Sequence, residues 1–119
     1  MTTETVDISE DLERIVFSIV SYSGEAKGYA YEALRLSEDG DFDGAHDMMD
    51  KCNQSVLKAH EVQTEMIRRE LGGDKFTVSM IMVHAQDHLM TTLSERELIR
   101  RMIEQNRRLH TLEKALLAK

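Results

Sequence analysis

The most informative part of this sequence is TVSMIMVHAQDHLMTT, residues 77–92. It contains four consecutive apolar residues, Met80 to Val83, which on a helix point in every direction around the axis. A helix that is apolar all round is buried all round. A helix that starts at about Thr77 or Ser79 therefore needs neighbours on every side, which three helices of one chain cannot supply. We expect this part of the helix to meet another subunit as well.

Two more helices are predicted upstream, since the chain has no proline and only six glycines to interrupt it. The first is predicted to open at Ser9 as N-cap and to end at residues 39–41. Its apolar positions recur with helical spacing: Leu12, Ile15, Val16, Ile19, Val20, Ala26, Ala30, Ala33 and Leu34. Gly24 and Gly28 fall inside this helix, where we interpret them as sites of close approach to another helix.

The second helix is predicted to begin after Asp41 as its cap and to run to about Leu71, where Gly72 and Gly73 stop it. Its apolar stripe consists of Phe42, Ala45, Met48, Met49, Cys52, Val56, Ala59, Met66 and Ile67. Because Cys52 lies on this stripe, we interpret it as a small core residue and not as a nucleophile.

The third helix is predicted to continue to the end of the sequence, over about forty residues. Its last part, from Arg100, is amphipathic, and its apolar positions are expected to point inward: Met102, Ile103, Leu109, Leu112 and Leu116. The sequence thus predicts an all-α fold of three long antiparallel helices in one domain, residues 1–119, with fraying over residues 1–8 and the last few.

Composition and charge exclude several functions. The net charge of −7 opposes binding to nucleic acid and to anionic lipid. A single cysteine excludes an intramolecular disulfide. The polar, acidic start does not resemble a signal peptide, and no run of 18 apolar residues is present to span a membrane. We therefore expect a cytoplasmic protein without membrane insertion.

The polar residues behind Val83 are the candidates for chemistry. At 100° per residue, His84, Asp87, His88 and Thr91 lie within an arc of about 100°, and Gln86 points about 160° away from His88. If this part of the helix is buried, these groups need partners, because unpaired buried polar groups are costly.

Three interpretations of the two histidines stand side by side. They are histidines satisfied within the core, ligands of a zinc ion, or a reactive pair. A zinc site, as in a zinc-dependent hydrolase, needs a third ligand and an open position. His46, His60 and His110 are candidates for that ligand, but no spacing singles one out.

Asp87 has two interpretations. It orients a histidine, or it binds a cation. One carboxylate is a poor site for Mg²⁺, which prefers several oxygen ligands. A threefold assembly would bring three copies of Asp87 together around one axis.

The segment Val83-His84-Ala85-Gln86-Asp87-His88-Leu89-Met90-Thr91 resembles the signature of the enzyme IIA subunits of the lactose/cellobiose-type sugar phosphotransferase system. Gly24-Glu25-Ala26-Lys27, Gly40-Asp41-Phe42 and the run from Ala59 to Thr64 resemble other parts of that family. The similarity extends from about residue 10 to 109.

The resemblance implies a role for each residue of the signature. His84 matches the phosphorylated histidine, and Asp87 matches the aspartate that meets its symmetry mates around one divalent cation, Mg²⁺ in our prediction, on the axis of the trimer. Gln86 and His88 match positions that shape the phosphoryl site. His60 and Gln63 match family positions without an assigned role.

The resemblance also implies the assembly and the partners. Three chains would form a homotrimeric nine-helix bundle. The expected phosphoryl donor is the carrier protein HPr, the acceptor is a cysteine of the cognate IIB protein or domain, and the chain works beside the membrane component IIC. The sugar would be of the lactose, cellobiose or chitobiose type. The alternative is a helical adaptor whose histidines have only a structural role.

Overall fold

The computed structural model describes the backbone of residues 3–118 and the side chains of residues 10–118. These residues form three helices, α1 (Thr3–Glu38), α2 (Phe42–Leu71) and α3 (Met80–Leu117), with no strand among them. The bundle is 78 Å long and 22 Å by 17 Å across. The predicted all-α architecture of three long helices is confirmed. None of the described helices combines the length and the apolar composition needed to cross a membrane.

The packing directions follow from the contacts between helices. Glu25 of α1 pairs with Ser55 of α2, and Asp11 pairs with Arg69, so these two helices are antiparallel. α3 runs parallel to α1, because Thr92 meets Ser23 and Asn106 meets Ser37 at the same sequence separation. Both α2 and α3 pack mainly against α1 and contact each other less. One side of α3 is therefore left uncovered by the chain.

Side-chain caps begin the two helices that follow the turns, and only the cap at Asp41 was predicted. The Asp41 carboxylate accepts a hydrogen bond from the Gly44 N–H at 2.9 Å, and the Ser79 hydroxyl accepts one from the Met82 N–H at 3.3 Å. Such caps satisfy N–H groups that have no partner within the helix. Gly40 ends the α1–α2 connection with φ of +87°, a conformation that glycine adopts without steric cost.

The start of the first helix differs from the prediction. α1 begins at Thr3, so Ser9 lies inside the helix instead of capping it. The predicted fraying of both ends falls in part on Met1, Thr2 and Lys119, which lie outside the described residues.

Two apolar clusters form the core, one in each half of the bundle. The first joins Leu89 and Ala85 of α3 to α1 and α2, and the second is built on the alanines of α1: Ala26, Ala30 and Ala33. Small side chains let the helices approach closely in this second cluster. Cys52 is fully buried there, and burial raises the pKa of its thiol. Its interpretation as a core residue is confirmed.

The prediction that Gly24 and Gly28 of α1 are sites of close approach to another helix is wrong within the chain. A Cβ at Gly28 would have no other atom within 4 Å, and one at Gly24 would meet only His88 Nε2, at 3.9 Å. No second helix backbone approaches either residue. Ile67 of α2, expected in the apolar stripe, is also exposed.

The apolar run at the start of α3 is only partly buried within one chain. Among Met80, Ile81, Met82 and Val83, only Met82 is buried in the chain. This agrees with the expectation that one chain cannot cover all four, while the second subunit stays a prediction.

At the other end of α3, only Ile103 points inward as expected; Met102, Leu109, Leu112 and Leu116 are exposed. Two facts account for this. The exposed residues lie on the side of α3 that faces away from α1 and α2. In addition, α1 ends at Glu38, so the last turns of α3 have no helix beside them.

Candidate functional site

The two predicted histidines lie one turn apart on the flank of α3. His84 is exposed and His88 is half-buried. Their ring centroids are 6.0 Å apart, with an angle of 32° between the ring planes. Burial of these polar groups was the condition under which they would need partners, and it is not met in the single chain, because the flank faces away from the core. The His84 side chain is accessible to another molecule in the single chain.

Asp87 and Thr91 belong to the same flank. Asp87 is exposed, and its carboxylate has no hydrogen-bond or ion-pair partner among the described residues. The Thr91 hydroxyl donates back to the backbone carbonyls of Asp87 and His88, at 2.9 and 3.2 Å. Asp87 therefore does not orient a histidine within the chain, and its carboxylate is free to bind a ligand or another copy of the chain.

Gln86 lies on the other side of α3, as the helical geometry predicted. Its side-chain carbonyl accepts a hydrogen bond from the Gln63 amide of α2. This contact gives Gln63 a structural role, which the sequence did not assign. Within one chain Gln86 joins α3 to α2 and is not beside His84. Its contribution to a phosphoryl site stays a prediction.

Gly24 of α1 is the residue across from His88. An added Cβ would lie at van der Waals distance from His88 Nε2, so a larger side chain at this position would crowd this ring nitrogen. The sequence signal for this contact with His88 was the glycine itself. Glycine is unfavourable inside a helix, and no packing contact accounts for it at this position.

A polar cluster between α1 and α3 lies C-terminal to the histidines along α3. It was not predicted from the sequence. Glu95, two turns after His88, accepts a hydrogen bond from the Tyr31 hydroxyl at 3.0 Å and lies 3.2 Å from Lys27 Nζ. The hydrogen bond to Glu95, together with its negative charge, raises the pKa of Tyr31. These contacts set the register of α1 along α3, and this register places Gly24 opposite His88.

The remaining histidines lie apart from this pair. His46 forms a contact with Asp50 at 3.5 Å, His110 packs edge-on against Phe42, and His60 is exposed on α2. No group of three His, Cys, Asp or Glu side chains in the described part of the chain is arranged to hold a metal ion. The zinc interpretation therefore lacks its third ligand within one chain.

Comparison with known proteins defines the class to which this fold and this pair of histidines belong. Residues 14–107 match the family described as PTS system, Lactose/Cellobiose specific IIA subunit. The N,N'-diacetylchitobiose-specific EIIA component of the phosphotransferase system of Escherichia coli K12 is 42% identical over 106 residues, which cover 89% of this chain and 91% of that protein.

Two solved structures are similar over most of their length. The cellobiose-specific enzyme IIA from Bacillus anthracis has a TM-score of 0.82 and 34% identity, covering 93% of this chain and 94% of that one. The IIA(Chitobiose) protein of Escherichia coli, solved in complex with HPr, has a TM-score of 0.72 and 42% identity over 83% of this chain and 96% of that one. The chain belongs to the lactose/cellobiose IIA family of the sugar phosphotransferase system. The predicted family is confirmed.

Proposed function

We propose that the chain is a phosphoryl carrier in sugar uptake, with His84 as the residue that carries the group. The observation that supports this most directly is the exposure of His84 on the flank of α3, with a second imidazole 6.0 Å away. A carrier has to meet one protein that donates the group and another that accepts it. A side chain on the outside of a rigid helix allows both encounters.

The chemistry suits a histidine. A neutral imidazole nitrogen is nucleophilic near neutral pH. We propose that it attacks the phosphorus of phosphorylated HPr, so that a P–N bond of the donor breaks as the P–N bond to His84 forms. A cysteine thiolate of the IIB protein then takes the group as a P–S bond forms and the P–N bond to His84 breaks. The complex of IIA(Chitobiose) with HPr supports the choice of donor.

His88 and Gly24 are assigned supporting roles in this transfer. Phosphoryl transfer depends mainly on alignment and on stabilisation of the phosphoryl charge. In its protonated form, His88 would supply a positive charge one helical turn from His84. The absence of a side chain at Gly24 would leave room on the α1 side of the His88 Nε2 atom, which lies 3.9 Å from the position of an added Cβ.

We further propose that three chains assemble with Asp87 next to the threefold axis. Asp87 lies on the face of α3 that the chain leaves uncovered, together with exposed Met80, Val83 and Leu98. Three carboxylates brought together would repel one another. Their oxygens are the ligands that Mg²⁺ prefers, and one chain supplies a single such group, so the site would exist only in the assembly. The cation would neutralise the three charges.

The sugar is set by the membrane component IIC, beside which this subunit would work. We propose transport of a lactose-, cellobiose- or chitobiose-type sugar, because the compared relatives carry the last two names.

Phosphorylation by the upstream proteins tests the carrier role. The chain is incubated with phosphoenolpyruvate, enzyme I and HPr, and its intact mass is measured before and after mild acid. We expect wild type to gain the mass of one phosphoryl group per chain and to lose it in mild acid. His84→Gln should show no such gain. His60→Gln is the matched control, since His60 is an exposed histidine on another helix, and it should accept the group. Retention by His84→Gln would place the site elsewhere, and no gain in wild type would favour the adaptor.

Assembly of Asp87→Leu tests the axial role of Asp87. Because this change replaces like charges with apolar surface, the variant should remain trimeric in a chelator, as measured by sedimentation. Dissociation of the variant, with wild type unaffected by the chelator, would contradict the axial site.

A further inference from the structure

A single lysine supplies positive charge on the side of the bundle where the two histidines lie. Lys27 is the only lysine or arginine among residues 15–34 of α1, and Arg96 is the only one among residues 76–99 of α3. Arg96 points to the α2 side of α3, where it contacts α2 at 3.4 Å. Lys27 lies on the α1 side, because it pairs with Glu95 of α3. Of the two cations, Lys27 is therefore the one that shares a side of α3 with the histidines.

The fold directs the Lys27 side chain toward those histidines. Long side chains on an α-helix point back toward its N-terminus. Since α1 and α3 are parallel, this direction leads along α3 from Glu95 toward His88. Gly24, one turn before Lys27, is the residue opposite His88, and its added Cβ would lie 3.9 Å from His88 Nε2. Residues three apart on a helix have Cβ atoms about 5–6 Å apart, a distance that the four-carbon stem of lysine spans. The Lys27 ammonium group can therefore reach the side of the His88 ring.

Two glycines leave the surface beside Lys27 open. On an ideal helix Gly24 and Gly28 lie about 60° and 100° from Lys27, in the same direction around the axis. Both are exposed, and an added Cβ at Gly28 would have no atom within 4 Å. Glycine is unfavourable inside a helix. Room for movement of the lysine side chain accounts for two such residues at this place.

The contact that Lys27 makes in the structure is one that it can leave. Its Nζ atom lies 3.2 Å from Glu95 Oε2, but this oxygen accepts no well-aligned hydrogen bond from the described residues. The two side chains are 36% and 32% exposed, and ion pairs of such exposure contribute little to stability. The other oxygen, Glu95 Oε1, accepts a hydrogen bond from the Tyr31 hydroxyl at 3.0 Å. Glu95 therefore keeps a partner when the lysine moves away.

We propose that Lys27 binds the phosphoryl group carried by His84 and returns to Glu95 when the group has left. The inference rests on the carrier role proposed above and deepens it. The ring centroids of His84 and His88 are 6.0 Å apart, so an ammonium group beside the His88 ring is close to a group on His84. A phosphoryl group carries a charge of about −1.5 to −2 and has three acceptor oxygens, whereas the Glu95 carboxylate carries a single charge. Charge-assisted hydrogen bonds then hold Lys27 at the phosphoryl oxygens. After transfer, the unpartnered Oε2 atom of Glu95 draws the lysine back.

Opposite effects of two substitutions distinguish this role from that of a structural salt bridge. The equilibrium between phosphorylated HPr and the chain is measured from the intact masses of both proteins. Lys27→Met removes the ammonium group and should lower the equilibrium constant for phosphorylation of His84 by about tenfold or more. Glu95→Gln removes the competing anion and should raise this constant by about threefold. A salt bridge that only joins α1 to α3 is broken by both substitutions, so shifts in the same direction, or no shift in Lys27→Met, would overturn the proposal.

Two control variants test whether the charge has to be at this position. Lys27→Arg keeps a cation there and should remain within about threefold of wild type. Lys51→Met removes a lysine of α2 whose Nζ atom lies 5.9 Å from the centre of the Tyr29 ring, and it should leave the equilibrium constant unchanged. An equal effect of Lys51→Met and Lys27→Met would reduce the result to net charge and reject the assignment. Circular dichroism shows whether each variant is helical. If Lys27→Met does not fold, a lower constant in Glu95→Gln still refutes the proposed exchange of partners.

The same samples separate this proposal from the carrier role. Phosphorylation of wild type and of Lys27→Met to the same extent would leave the carrier role in place and remove Lys27 from the phosphoryl site. A wild type that accepts no phosphoryl group from active HPr would reject both proposals.

Discussion

Two buried serines of α1 give a stability prediction whose sign depends on their hydrogen bonds. Ser23 is 0% exposed, and its hydroxyl has no hydrogen-bond partner among the described residues. Ser37 is 2% exposed, but its hydroxyl donates to the Leu34 carbonyl at 2.7 Å and accepts from the Asn106 amide at 2.9 Å. The same substitution, serine to alanine, should therefore stabilise the protein at one position and destabilise it at the other.

The magnitudes follow from the groups that are removed. Ser23→Ala removes an unsatisfied buried hydroxyl, which costs about 1–3 kcal/mol, and gains up to about 0.5 kcal/mol of helix propensity. We expect an increase of about 2 kcal/mol in the free energy of unfolding. Ser37→Ala gains the same propensity but loses two hydrogen bonds of about 1 kcal/mol each and leaves the half-buried Asn106 amide unpaired. We expect a decrease of about 1–2 kcal/mol.

The assay is thermal and urea unfolding, followed by circular dichroism at one fixed chain concentration, since the stability of an assembling protein depends on concentration. For 119 residues the entropy of unfolding is about 0.25 kcal/mol per degree. Ser23→Ala should therefore melt about 8 °C higher than wild type, and Ser37→Ala about 4–8 °C lower. A lower melting temperature for Ser23→Ala, or shifts of the same sign in both variants, would refute the reasoning.

Three more predictions concern burial and charge. Leu89→Ala should lower the free energy of unfolding by about 3 kcal/mol in urea unfolding, because Leu89 is fully buried; a loss below about 1 kcal/mol would contradict its place in the core. The Cys52 thiol should react with a thiol reagent slowly in the folded protein and quickly in urea, because burial raises its pKa and blocks access; fast labelling without urea would contradict this. Hydrogen bonds from Arg100 and Arg101 lower the pKa of Glu97 from 4.5 to about 2. The ionised Glu97 carboxylate therefore stabilises the folded protein above pH 4.5, and this stabilisation is lost as the pH falls towards 2. Wild type should unfold at higher urea concentration than Glu97→Gln at neutral pH and should lose that advantage across this range; a difference independent of pH would contradict the assignment.

The helices and their caps could be predicted because they depend on local sequence. Asp41 caps α2 as predicted, and Ser79, one of the two predicted starts of the third helix, caps α3. The predicted angular positions around α3 are also confirmed, since Gln86 points away from His88 and accepts a hydrogen bond from α2. The prediction that Ser9 caps α1 failed because a suitable capping residue inside a longer helical segment is indistinguishable, in sequence, from one at its start.

The position of the candidate site in the chain could also be predicted from local sequence. The environment of its side chains could not, because it depends on tertiary packing. The HAQDH segment carried the most specific part of the family resemblance. The half-burial of His88, the free carboxylate of Asp87 and the contact across to Gly24 depend on where α1 lies. The Lys27–Glu95 and Tyr31–Glu95 contacts join residues more than sixty positions apart, and no local pattern indicates them.

The number of helices, the positions of the turns between them and the residues that share a face of each helix could all be predicted from local sequence. Helical periodicity carries that information because neighbouring residues on one helix have a fixed geometry. The choice of which apolar face becomes core depends instead on how the helices pack against one another. α3 has two apolar surfaces, and the one with Leu89 and Ile103 is buried because α1 and α2 pack against it. The one with Leu109 and Leu112 stays exposed, because α1 ends before it and both other helices lie on the opposite side.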